Sequence, residues 1–412
     1  MPHRRSHALL DPSADAARLL RRIGFGTLAL ALPLAALVSR RAAVVLAPIG
    51  VVLLVIAALI EEPGRFIAML RRGVLSLPGM ILIGLVAWAL LSLVWSPYTA
   101  SATEKAGNLV LAIALGFAGM AALPERMRAS NLNLVALGTG IAGAFALALV
   151  VIAEFRHEDT DAGVERAISV ILIMTWPALA WLLSRERGLS ALGLALVVGL
   201  LALTRFDDGE AVAMVCGAAA FGAVSAERRS ASAIIAAIIA GLMLIAPLLP
   251  FLLIPLVAAF AQGEAAQSLA VWADVISADP VKLVTGHGLD TVLRGRVTGA
   301  LPQPAPVTLL FEVWYELGLV GAVAGAASLY FAIRAAARMP GALAAGGVAA
   351  FSTAFALSAL GFATFQTWWL MTLTAVVLMF GAIARGQYRT DRPVAPLLKP
   401  ANHRPKAGGT PA

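Results

Sequence analysis

Apolar residues fall in blocks of about 16–30, divided by short charged punctuation, the spacing of segments that cross a bilayer as helices. The blocks begin near Ile23, Ala42, Met80, Asn108, Asn131, Ala167, Leu189, Ala211, Ala231, Val307, Gly341 and Trp368. They predict an all-α, polytopic integral membrane protein of about twelve helices, since only a helix satisfies its own backbone hydrogen bonds in lipid. The membrane domain spans 23–389, after a basic tail at 1–22 and before a Pro-, Lys- and Gly-rich tail at 390–412 that reads as disordered. Arg40 and Arg41 interrupt a short first hairpin; were that hairpin re-entrant, ten spans would remain. Arg65 to Arg72 reads as an amphipathic stretch lying at the interface.

The longest polar excursion covers 262–306. Within it Trp272, Val275 and Ile276 stand at helical spacing and predict a short surface helix closed by Pro280. GHGLD follows, and LPQPAP predicts an extended approach to the next span.

Composition sharpens this picture. Of 412 residues 60% are hydrophobic and 13% charged, against about 25% charged in soluble domains, which excludes a soluble enzyme. The net charge of +8 suits nucleic acid or anionic headgroups. The basic residues cluster beside apolar blocks and no nucleic-acid motif is present, so headgroups and topology account for them. Arg65, Arg71, Arg72, Arg126, Arg128, Arg185, Arg187, Arg228, Arg229, Arg334 and Arg338 mark one face. By the positive-inside rule both termini are cytoplasmic and 262–306 is a large periplasmic loop of a bacterial inner-membrane protein. The polar N-terminal tail lacks a small-residue cleavage site and reads as cytoplasmic. Cys216 is the single cysteine, so an internal disulfide is excluded. Trp368 and Trp369 read as an interfacial aromatic belt.

Chemistry is sparsely marked. P-loop, CxxC, HExxH and GxSxG motifs are absent, and three of the five histidines lie in the tails, so no metal site is expected. Three blocks stand out: LLSLVWSPYTASATEKAGNL (Leu90 to Leu109), DPVKLVTGHGLDT (Asp279 to Thr291) and TLLFEVWYELGLVGA (Thr308 to Ala322). In this order they resemble elements of the O-antigen ligase and O-antigen polymerase superfamily. The resemblance implies a metal-independent glycosyltransferase needing no cofactor and working at the periplasmic face in lipopolysaccharide or surface-polysaccharide assembly. The donor would be an undecaprenyl-diphosphate-linked saccharide and the acceptor a glycan or the lipid A core. Arginine suits such a site, because its planar fork grips a diphosphate without losing its proton.

The chain departs from the family at its key positions. The family's catalytic His falls on Val307, its Ser-Arg pair on Asp208 and Gly209, and a loop Arg on Ser268. Replacements are therefore sought nearby. Arg205, Arg294 and Arg296 are candidates for the diphosphate, against a local ion pair for Arg205 and a solvated loop face for the other two. Glu312 and Glu316, one turn apart on one helix face, are candidate base and substrate-binding residue. As base, Glu312 ranks before His287, which reaches the site only if the large loop folds over it. Two rival readings stay open: a transporter or flippase of lipid-linked saccharide, which would carry its charges near mid-membrane, and a catalytically inactive family member in an assembly complex.

Overall fold

A computed structural model describes residues 12–386 except 40, 158–161, 206–208, 261–263 and 362–364. The tail at 390–412 and the start of the basic tail lie outside the described residues. Among the described residues every regular element is helical. The first half comprises α1 (Pro12–Ala36), α2 (Ala42–Glu61), α3 (Pro63–Val74), α4 (Leu77–Leu91), α5 (Thr99–Ala122) and α6 (Ala129–Arg156). Then come α7 (Ala162–Ser184), α8 (Gly188–Leu203), α9 (Glu210–Ala226), α10 (Arg228–Ile245) and α11 (Leu249–Phe260). The excursion holds α12 (Glu264–Ala278), α13 (Lys282–Thr285) and α14 (Thr291–Thr298), and the chain ends with α15 (Leu309–Ala336), α16 (Ala342–Ala359) and α17 (Thr367–Ala384).

Among the described residues ten helices are long and apolar enough to cross a membrane: α1, α2, α4, α5, α6, α7, α10 running into α11, α15, α16 and α17. α8 and α9, 16 and 17 residues long, are apolar but shorter. Each apolar block read from the sequence falls on one of these helices. The architecture is that of a multi-pass membrane protein.

The basic tail is helical from Pro12 and continuous with the first span. Arg21 pairs with Glu61 at 2.6 Å and so fastens the start of α1 to the end of α2. Within α1 the turn Thr27–Ala31 is π-helical, the Leu32 N–H reaching back to the Thr27 carbonyl. Pro33, which has no N–H to give, follows at once. α3 buries none of its residues and its Arg65 faces Glu62 and Glu125 at 3.7 and 3.5 Å, as an interfacial helix would.

The core has two main parts. One surrounds α7, whose Trp176 and Trp181 are almost fully enclosed; the other joins α10, α15 and α16. Arginines cap helix ends, among them Arg185 and Arg228 of the face marked by the basic residues. Arg385 donates to the carbonyls of Met120 and Leu123, Arg185 to that of Gly386 at 3.0 Å, and Arg228 to that of Met339 at 3.4 Å.

Trp368 and Trp369 correct one expectation. They are buried at the start of α17 rather than set in a lipid-facing belt. Their indole N–H groups donate to Gln366 Oε1 at 2.7 Å and Ser358 Oγ at 3.2 Å, internal partners that let the rings leave the interface.

Candidate functional site

The polar excursion folds back onto the bundle. α12 carries Trp272, Val275 and Ile276 as the spacing predicted, and Pro280 follows its end. The lead into α15, expected to be extended, instead turns over Pro302–Ala305, where the Ala305 N–H donates to the Pro302 carbonyl at 3.0 Å. It ends at Thr308, whose hydroxyl accepts from the Phe311 N–H and caps the helix. α14 was not legible, because TVLRGRVT shows no apolar stripe.

The GHGLD turn is clamped by backbone bonds to α15. The His287 N–H donates to the Tyr315 carbonyl at 2.7 Å, and the Gly288 N–H to the Glu316 carbonyl at 3.0 Å. These carbonyls are available because α15 breaks at Gly318, which adopts φ 65° and ψ −161°. The first block, with Trp88 just before it, joins the same knot. Trp88 Nε1 donates to the Leu317 carbonyl at 2.8 Å, Ser96 Oγ to the Leu289 carbonyl at 2.9 Å, and the Leu289 N–H to Ser92 Oγ at 3.2 Å. Gly288, at φ 99°, lies so close to Ser96 that a Cβ would stand 2.6 Å from its Cα. All three blocks singled out in the sequence therefore meet at one place.

Beneath the knot lies a buried charge cluster. Lys105 Nζ sits 2.9 and 2.8 Å from the two carboxylate oxygens of Glu316, which is 1% exposed. Glu316 Oε1 also accepts from the Val292 N–H at 3.4 Å. Glu312, 3% exposed, and Asp290, 5% exposed, are within electrostatic reach of the same ammonium. The Phe365 ring faces Lys105 with its centroid 5.5 Å away, a cation–π arrangement. Lys105 thus lies within reach of three carboxylates, one of which, Asp290, also meets Arg294. Lys105 was missing from the candidates because a single Lys in a polar helix start carries no signal of its partner, 211 residues away.

Beside this cluster a narrow cleft opens between α12 and α15, lined by Trp272, Phe311, Trp314, Tyr315 and His287, with Asp279 and Lys282 among its polar groups. The rings form a ladder. Trp272 meets Phe311 edge-on at 5.5 Å, Phe311 stacks on Tyr315 at 5.3 Å, and Tyr315 on His287 at 4.0 Å. His287 Nδ1 lies 3.1 Å from the Tyr315 carbonyl. A carbonyl only accepts, so this bond places the proton on Nδ1 and leaves Nε2 with its lone pair.

Burial pushes the His287 imidazole below its ordinary value, and Lys282 adds to this; the Tyr315 carbonyl and Asp279 act the other way. The folded protein therefore favours the neutral ring. This stability is complete above the unfolded pKa of about 6.5 and is lost as pH falls through the lower folded value. In detergent, the melting temperature should fall between pH 7 and 5.5. His287→Asn should lessen that fall, and an identical pH profile in the variant would remove His287 as its source.

The remaining candidates are placed apart from this cluster or at its rim. Glu312, Glu316 and His287 are gathered by the loop, which does fold over α15. Arg294 lies on α14, half exposed, with Nε 3.3 Å from Asp290 Oδ2. Arg296, on the same helix, is half-buried, and its carbonyl accepts from Gln303 Nε2 at 3.0 Å. Arg205 has other partners, Glu165 on α7 at 2.9 Å and Glu210 on α9 at 3.4 Å. Val307, at the position of the family's His, lies just before α15, where its carbonyl approaches Gly361.

Comparison with protein-family models, with curated proteins and with solved structures gives no match for this chain.

Proposed function

We propose that the protein is an O-antigen ligase-like glycosyltransferase of the bacterial inner membrane. In this reading it moves a saccharide from undecaprenyl diphosphate to a glycan or lipid A-core acceptor at the periplasmic face, with both termini cytoplasmic. The observation that carries the reading is the meeting of the three family-like blocks over a buried lysine–carboxylate cluster beside an aromatic cleft. Aromatic faces suit the C–H faces of a sugar ring, and the polar groups at the cleft suit its hydroxyls. His287 Nε2, unprotonated at neutral pH and lining the cleft, is the base that removes the acceptor proton. Glu312 is the second choice, since it lies inside the bundle. Arg294 and Arg296, on the exposed loop helix, meet the diphosphate. Lys105 and Glu316 hold α5 and α15 in place under the site.

Purified protein should transfer glycan from a lipid-linked oligosaccharide without added nucleotide. His287→Ala should lower the rate by about 100- to 10,000-fold, the usual worth of a general base, while Glu312→Gln retains more activity. The reverse order would make Glu312 the base. Absence of transfer in the unaltered protein, with donor translocated in vesicles, would favour the flippase reading.

A further inference from the structure

A second site lies away from this cluster, on the flank formed by α6 and α8. The two helices run parallel, each starting at the end of the bundle where α7 finishes, and a groove of about 640 Å³ separates them. That volume is within the range of about 300–1,000 Å³ found for ligand sites. The groove is amphipathic along its length. Ser130, Asn133, Arg187 and Ser190 line the end near the helix starts, while beyond them the walls are apolar as far as Gly140 and Val197. From Ser130 to Gly140 the rise along α6 is about 15 Å at about 1.5 Å per residue, half of the roughly 30 Å hydrocarbon core. One acyl chain of one leaflet fits this length.

The polar end is arranged for an anion. Asn133 Oδ1 accepts from Arg187 Nη1 at 3.3 Å and from Trp181 Nε1 at 2.9 Å, which fixes the guanidinium across the groove mouth. Arg187 is itself exposed, and most of its five donors remain available for a phosphate. The neighbouring hydroxyls of Ser130 and Ser190 suit headgroup oxygens. We infer that the α6–α8 groove binds one anionic glycerophospholipid, with its phosphate on Arg187 and an acyl chain along the apolar walls toward Gly140 and Val197. The inference is independent of the proposed glycosyl transfer.

Native mass spectrometry of the full-length protein tests it, with phosphatidylglycerol and phosphatidylcholine of identical chains as probes. The unaltered protein should retain one phosphatidylglycerol at about fivefold lower lipid concentration than phosphatidylcholine, the worth of roughly one Arg beside an anionic headgroup. Arg187→Gln should abolish the preference. Gly193→Leu should cut retention of both lipids, because a Cβ there meets nothing within 4 Å and the new side chain enters the groove without disturbing the fold. Unchanged melting of both variants establishes that they are folded. Equal retention of the two lipids by the unaltered protein, a preference untouched by Arg187→Gln, or retention untouched by Gly193→Leu would overturn the site. Displacement of the lipid by equimolar glycerol 3-phosphate would show a phosphate site without a chain and overturn the lipid assignment.

Discussion

Lys105→Met should lower the stability of the folded protein by about 3–5 kcal/mol, the cost of leaving one member of a buried ion pair alone. Glu316, at 1% exposure, would be left with no ammonium within reach of its two oxygens. The Val292 N–H supplies only a long bond at 3.4 Å. Since stabilities are commonly about 5–15 kcal/mol, much of the folded population is at stake. Glu316→Gln alone takes the directly bonded carboxylate from the lysine, leaving it only the electrostatic reach of Glu312 and Asp290, and should also destabilise. The double variant Lys105→Met with Glu316→Gln removes both charges and should recover a large part of the loss. Thermal unfolding of the four proteins in one detergent closes the cycle. A double variant whose loss equals the sum of the single losses would show that the pair does not act as a unit.

Gly318→Ala should be comparably severe, for a different reason. The residue's φ of 65° with ψ of −161° belongs to a region essentially restricted to glycine, costing about 1–3 kcal/mol for any other residue. A Cβ would also stand 2.5 Å from the Val284 carbonyl oxygen and 2.6 Å from the Gly286 nitrogen. Those are backbone atoms, so no side chain can swing aside. The GHGLD turn would have to lift off α15, taking His287 from Tyr315. Gly84→Ala is the matching control, in a helix with nothing within 4 Å of its Cβ, and should be neutral or stabilising by up to about 1 kcal/mol. Similar monodisperse yields and melting temperatures for the two variants would refute the account of Gly318.

The sequence displays the helices well and the site poorly. Spans are visible because lipid demands long apolar runs, which composition records directly. The α12 stripe was visible for a related reason, as one of its faces is buried against α15. Glu312 and Glu316 stood out because carboxylates at the start of an apolar run are costly. Lys105 did not, since a lysine six residues into a polar helix start resembles any snorkelling residue. Its meaning lies in a partner on a distant helix. Trp368 and Trp369 misled for the same reason: a tryptophan at a span end is compatible with lipid or with a buried hydroxyl such as Ser358, and only the packing of α16 against α17 decides. The placement of Arg205 beside Glu165, rather than beside the loop arginines, is likewise a matter of which helices neighbour one another.

The Lys105–Glu316 pair also imposes a timetable on synthesis. The two residues are 211 positions apart, so at about 5–20 residues per second the ribosome adds Glu316 roughly 10–40 s after Lys105. Throughout that interval α5 must be held at the membrane with its ammonium unneutralised by its eventual partner. The insertion machinery, or water at the membrane surface, has to shelter it until α15 arrives. Truncated chains ending before α15 should therefore be favoured substrates for membrane quality-control proteases, while chains that include α15 escape them.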